Sequence, residues 1–486
     1  MTTMVATLRG AETTISDEDL EELRAAVRGD VLTPGDPGWA EMRPPYNAMH
    51  PGRPALVVRP TGTADVVAAI TFARERQLLV AVRGGGHSIA GLSSVDGGML
   101  LDLARMDGVE VDPLARTVHV QAGALVGDMD HETQAFGLVA PNGIVSDTGV
   151  AGLTLGGGEG WVRRKYGMAV DNLLSAQVVG ADGHVRTASA ESEPDLFWAI
   201  RGGGGNFGVV TSFTFRCHPV GPTVAFAGVF HPVEDAEDVY RRFRDWAESA
   251  PDEVSAMIGC TTLPPSEHTP PEVHNTPFVV TAAVHSGDPD AGMEVLGPLR
   301  EIGTPLVDIS GPLPYAGVQS AFDEFFRRGT LRSYWKSTYV EHLTDPIVDI
   351  LVDRARNRPS ARTFVIAFLM GGAINRVPVE ETPYSERSAN WMVSFDGNWE
   401  DPADDERVIS WVRGAWGQVH ELGTGTLYLN FTGVADEATT VGVESAFDKA
   451  NLQRLEEIKA HYDPDNFFRL NNNITPASYD GRASAT

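Results

Sequence analysis

Apolar positions along the chain follow two rhythms, and the rhythm changes the element it predicts. Residues 17–28 (DEDLEELRAAVR) carry the three-to-four spacing of an amphipathic helix, with Ser16 as its cap and Asp19 three residues on. ALVV (55–58) then reads as a strand, 63–77 as a helix and LLVAV (78–82) as a strand. MLLDL (99–103) and TVHVQ (117–121) read as further strands, and 124–136 as a second helix. LLSAQVVG (173–180), a turn at Ala181-Asp182-Gly183 and the alternating FGVVTSFTFR (207–216) complete this half. The pattern is α+β, and it predicts one unit over residues 1–220.

From about residue 222 the runs grow longer and more aromatic. TVAFAGVF, PFVVTAAV, RTFVIAFLM, NWMVSF and TLYLNF read as strands, and 234–249, 289–302, 344–356 and 402–421 as amphipathic helices. This predicts a second unit, a sheet covered by helices on one face. A helix over 443–462 and the segment DPDNFFRLNNNI end the fold, with 478–486 expected to fray.

Composition narrows the function. The chain has 486 residues, 42% of them hydrophobic, and 38 basic against 66 acidic residues give a formal charge of −28. Such a balance argues against a nucleic-acid or anionic-membrane surface and favours a neutral or cationic small molecule. No run approaches the ~18 apolar residues of a membrane span. The N-terminal residues show no basic-then-apolar leader, so the sequence predicts a cytoplasmic protein. Cys217 and Cys260 form no CxxC pair and read as two reduced, buried thiols. No HExxH, GxSxG or metal-spaced cluster occurs, so no metal is expected.

Glycine is the anomaly. The chain has 51 glycines, above the usual share, and the excess piles up at 83–98, 149–160 and 201–208, between strand-like runs. Such loops let backbone lie against a ligand. They fail the Rossmann test: VAVRGGGHSIAGLSS follows a strand but opens no helix, and TLGGGEGWVRR is wrongly flanked. No GxxxxGK[ST] is present. Arg83-Gly84-Gly85-Gly86-His87-Ser88 is the sharpest string, an anion-binding nest with one reactive side chain at its tip.

RGGGHS, preceded by a strand and followed by DGGMLLDLARMDGVEVD, resembles the covalent-flavin loop of FAD-linked oxidases of the berberine-bridge-enzyme-like group, within the vanillyl-alcohol-oxidase superfamily. Residues 148–179 and 195–216 resemble that family's second and third flavin loops, TLYLNF its Tyr-x-Asn strand, and 462–474 its C-terminal return, all in the family's order. The resemblance implies a two-part PCMH-type FAD-binding domain plus a substrate domain with a helix-covered antiparallel sheet. Residues 1–49 would begin the FAD domain, 50–221 form its body, 222–440 bind substrate, and 441–486 return to the flavin.

Carried over by that resemblance, His87 is the covalent attachment point of FAD. Arg83, Gly84, Gly85, Gly86, Ser88, Gly149, Gly152, Gly156, Gly157, Gly158, Val209 and Asn471 contact the cofactor. Val145 occupies the place of a second, cysteinyl link, which predicts a single bond. Tyr428 is the candidate base, with Glu381 a second candidate that reads equally as part of a solvated loop, and Tyr384 a third. The implied reaction is hydride transfer from a CH–OH or C–N/C–C substrate, a secondary metabolite, alkaloid or sugar-like molecule, to flavin, with molecular oxygen as acceptor giving hydrogen peroxide. A flavin dehydrogenase and a catalytically silent flavoprotein stay open as alternatives.

Overall fold

The structure is a computed structural model, and it describes residues 2–477 except 263, 264, 266–270, 272, 273, 432 and 434–442. The expected fraying of 478–486 lies outside the described residues.

Two sheets build the glycine-rich half. The first is ordered Asp30–Leu32, Leu56–Arg59, Met99–Asp102, Val80–Arg83, with its last three strands parallel. Parallel strands need a crossover, and the helix Thr63–Glu75 supplies it, burying Val66, Ala69, Ile70 and Ala73. The strand Val80–Arg83 therefore delivers its chain directly into the loop that carries His87. The second sheet is antiparallel, ordered Val185–Ser189, Leu173–Val179, Val209–Arg216, Thr117–Gln121, Val109–Asp112. The N-terminal helix spans Asp17–Ala26 and closes a capping box: Asp19 N–H donates to Ser16 Oγ, and Ser16 N–H to the Asp19 carboxylate.

The second half is an eight-stranded antiparallel sheet among the described residues. Its long strands are Thr223–Pro232, Pro277–His285, Val254–Thr262, Phe364–Leu369, Trp391–Trp399 and Arg332–Val340, in that order. Alternation along these strands sorts side chains onto two buried faces. Ala227, Ala256, Val279, Val365, Val393 and Phe395 point outward, under the helices Ala236–Ala247, Pro289–Arg300, Asp345–Arg356 and Asp405–His420. Trp335, Phe364, Ile366, Phe368 and Met392 point inward, toward the glycine-rich half.

Three expected elements take other forms, and two strands are unforeseen. TLYLNF is no strand: only Leu429–Phe431 is regular, as one 3-10 turn. Its alternation reflects burial between two layers, with Asn430 Nδ2 donating to Leu153 O across the gap. The glycine-rich connection 137–160 contains a short helix, Val150–Leu155. The single helix expected over 443–462 is two, Val443–Ala446 and Lys449–Tyr462, because Asp448 turns back to cap Ala450 and Asn451 N–H. The strands Val254–Thr262 and Arg332–Val340 carry polar residues that interrupt a clean alternation, so the sequence pattern does not mark them.

Candidate active site

A cavity of about 280 Å3 runs between the two halves. Its inner end is lined by Val80, Val82, Leu103, Gly204, Gly205, Val209 and Asn471, its middle by the loop Gly84–Ser88 with Gly149, Gly152 and Gly156, and its outer end by Phe326, Trp335, Phe368, Asp396 and Tyr428.

Close approach of backbones builds the middle. A Cβ on Gly85 would stand 2.4 Å from Gly149 N, so the two loops pack with no room for a side chain between them. Gly152 and Gly205 face open space on the cavity side. The cleft therefore offers bare backbone along much of its length, and it holds buried acceptors without partners, the side-chain oxygens of Asn471 and Asn472. That chemistry fits a long dinucleotide with a pyrophosphate, a ribose and flat rings.

His87 stands in the middle, its ring stacked on Tyr46 at 4.0 Å, and its Nε2 is buried without a partner. Burial, reinforced by the Arg328 guanidinium, lowers its pKa to about 3, so the imidazole is neutral and nucleophilic at physiological pH. Of the other sequence candidates, Gly84, Gly85, Gly86, Ser88, Val145 and Val209 line the cavity. Arg83 does not line it; buried, it pairs with Asp102 at 3.1 Å and fixes the base of the loop. Gly157 and Gly158 also stand off the wall. A Cβ on Gly157 would crowd Tyr428 and Tyr384, and Gly158 N–H donates to Tyr428 Oη, so both glycines serve the tyrosine.

Tyr428 Oη accepts from Gly158 N–H and Asn430 Nδ2, each at 2.9 Å. With both acceptor positions filled, its own O–H is left to donate. Burial, with Glu159's charge adding to it, pushes this phenol well above its usual range. It is a poor base and a good donor. Glu381 lies away from the cavity, with its side chain 59% exposed and paired to Arg201. Tyr384 is buried behind Gly157 and Gly202, its hydroxyl bonded to that of Tyr339 at 2.7 Å. Neither lines the cavity.

Two carboxylates on the wall are not singled out by the sequence motifs. Asp396 sits on Trp391–Trp399 directly opposite Trp335 and is almost fully buried. Ser394 Oγ donates to it, yet burial dominates and raises its pKa to about 7, where a carboxylate can exchange a proton under physiological conditions. Glu159 lies in the second glycine loop, 3.2 Å from Arg163 but off the hydrogen-bond direction, and burial raises its pKa as well. The available signal for Asp396 is a lone ionisable residue inside an otherwise uncharged run, WMVSFDGNW. Around it Trp335 meets Phe326 and Phe431 edge-on, and Trp335 Nε1 donates to Asn398 Oδ1, which holds the indole in place.

The comparisons with known proteins agree with this geometry. The family described as "FAD binding domain" matches residues 54–189, and the one described as "Berberine and berberine like" matches residues 428–475. An FAD-linked oxidoreductase of Dictyostelium discoideum is 30% identical over 94% of this chain and 97% of its own length. (R)-6-hydroxynicotine oxidase of Paenarthrobacter nicotinovorans is 28% identical over 93% of this chain and 97% of its own. The crystal structure of 6-hydroxy-D-nicotine oxidase from Arthrobacter nicotinovorans superposes with a TM-score of 0.81 at 27% identity, covering 93% of this chain and 98% of that one. A bare-backbone cleft that ends under a helix-backed sheet, in a chain with these relatives, identifies the protein as a member of the berberine-bridge-enzyme-like family of FAD-linked oxidoreductases.

Proposed function

We propose that this enzyme oxidises a C–H bond beside the hydroxyl or amine of an aromatic or apolar-ring substrate, with FAD attached through His87 and molecular oxygen as acceptor. The observation that carries the reading is the joining, in one cavity, of a glycine-lined cleft holding a neutral His87 and a largely hydrophobic chamber with two buried carboxylates, of which Asp396 exchanges its proton near pH 7. FAD, when bound, supplies the hydride acceptor. Gly84 to Ser88, Gly149, Gly152, Gly205 and Asn471 hold it. Asp396 takes the proton from the substrate O–H or N–H, and Tyr428 donates a hydrogen bond that orients that same group. Trp335, Phe326, Phe368 and Phe431 stack on the ring and exclude water.

Pocket chemistry supports this substrate class over sugars. The chamber wall sets broad aromatic faces beside a few polar groups, Asp396, Glu159, Tyr428 and Asn430, which suits a ring with one hydroxyl or amine better than one with a hydroxyl on each carbon. Buried carboxylates and a net charge of −28 suit a neutral or cationic ligand. The oxidase names of the nicotine-acting relatives support oxygen as the acceptor. Support for a single covalent link comes from Val145, which puts no thiol on the cavity wall, while Cys217 and Cys260 are both buried away from it.

Anaerobic mixing of the purified protein with panels of benzylic alcohols, aromatic amines and oligosaccharides tests the reading. Bleaching of the flavin absorbance is expected with the aromatic panels, with hydrogen peroxide forming once air is admitted. Bleaching by oligosaccharides alone, or no peroxide on reoxidation, would refute it.

A further inference from the structure

The segment 44–50 and the loop 328–333 together grip the His87 loop from outside. Tyr46 N–H donates to Gly86 O, and Gly329 N–H to Tyr46 O, each at 2.9 Å. Asn47 Nδ2 donates to Ile89 O and Ser333 O, both at 2.7 Å. At the centre is Arg328. Its guanidinium donates to Gly85 O at 2.6 Å, to the Asp147 carboxylate at 2.9 Å and to Asp147 O at 2.8 Å. One planar, five-donor group from the substrate half thus binds two flavin loops of the other half at once, which a lysine could not do.

Arg328 is also the charge that bears most directly on His87. Tyr46, stacked on the imidazole, is uncharged, Arg83 is paired with Asp102, and Asp147 is paired with Arg328 itself. Asp396 stands beyond Tyr46, in the chamber. A proton on His87 would be buried beside the guanidinium, and both burial and charge oppose it.

We propose that Arg328, reaching across from the substrate half, is a positioning residue for flavin attachment: it pins the carbonyl of Gly85 to the Asp147 loop and so keeps the neighbouring His87 aligned. This rests on the reading that FAD is covalently held by His87. In that attachment a nitrogen of His87 bonds the 8-methyl carbon. One C–H and one N–H bond break, both protons and the electron pair pass to the ring, and molecular oxygen removes them as hydrogen peroxide. The proton-free nitrogen of His87 makes the bond, so protonation stops the step.

The test measures covalent incorporation. Apoprotein is mixed with FAD in air, and flavin that stays with acid-precipitated protein is followed over time from pH 5.5 to 9. The unsubstituted protein is expected to incorporate FAD at a rate that is flat over this range. In Arg328→Gln the rate should fall at least about tenfold and stay flat with pH, because burial alone still keeps the imidazole neutral over this range. Reversible FAD binding, read by fluorescence quenching, should persist. Arg328→Lys keeps the charge but not the fork, so it should be slow as well, and it carries the test if the glutamine variant does not fold. Incorporation by either variant at the unsubstituted rate would overturn the role of Arg328. Complete release of flavin from the unsubstituted protein would overturn the attachment itself, and the role with it.

Discussion

At the scale of single residues, the division of labour proposed for Tyr428 and Asp396 follows from what surrounds each oxygen. Two N–H donors fill the acceptor side of Tyr428 Oη, whereas Asp396 has one serine hydroxyl and an apolar surround. Asp396→Asn should slow anaerobic flavin bleaching by about 10²–10⁴-fold, the usual worth of a general base. In the unsubstituted enzyme the base works ionised, so kcat/KM should rise with pH through about 7 and level off above it. The same shift has a stability consequence of definite sign. The folded value lies above the ordinary 3.8, so folding takes up a proton between those pH values, and stability falls as pH rises from about 4 to about 7. Buried Asp130, raised to about 8, adds a fall of the same sign. Urea denaturation at pH 5 and pH 8 should therefore show a smaller difference in Asp396→Asn than in the unsubstituted protein, and an equal difference would remove Asp396 from the account. The sequence motifs make Tyr428 visible through its place beside Asn430. Asp396 stands out only as a lone charge in WMVSFDGNW; what gives it its character is burial opposite Trp335, a fact of sheet register that this string does not encode.

At the scale of elements, the flavin cleft depends on two loops that touch through their main chains. Here the glycines of RGGGHS and TGVAG were legible, because a local requirement for absent side chains leaves a local mark. The partner of each loop was not legible, and neither was the use of Gly157 and Gly158, which lie against Tyr384 and Tyr428. The TLYLNF segment shows the same limit: its apolar alternation is real, but two buried layers produce it as well as a ladder does. Gly85→Ala tests the loop contact. Its methyl would meet Gly149 N at 2.4 Å and Cα at 2.3 Å, atoms that cannot swing aside as a side chain end would. The loops must part by more than half an ångström, and the cleft with them. Flavin content per chain, read as the ratio of visible to ultraviolet absorbance, should drop several-fold. The outer helices and sheet, remote from the contact, should keep their circular dichroism. Full flavin loading in this variant would mean that the loops carry slack not evident in their packing.

At the scale of the whole molecule, the cavity is assembled from stretches far apart in sequence, and buried cations hold those stretches together. Arg163 donates to Leu369 O and Ala256 O, and Arg164 to Met370 O and Val254 O, so the second glycine loop is bolted to the eight-stranded sheet. The C-terminal return has its own fastening. Lys459 Nζ, fully buried, donates to Asp463 Oδ2 at 2.6 Å, to Asn206 O at 2.7 Å and to Phe468 O at 2.9 Å. Asp463 in turn accepts from Phe467 and Phe468 N–H, which sets the course of the chain into Leu470 and Asn471 on the cavity wall. Removing one member of such a pair strands the other's charge, at a cost of about 3–5 kcal/mol. Lys459→Met should therefore lower the melting temperature, and the apoprotein should bind FAD more weakly, because the return that carries Asn471 is no longer held. Adding Asp463→Asn removes the stranded carboxylate, so the double variant should regain part of the melting temperature. It should regain less of the FAD affinity, since the link between Asn206 O and Phe468 O remains lost. Equal recovery of both would mean that the buried charge, and not the course of the return, governs cofactor binding.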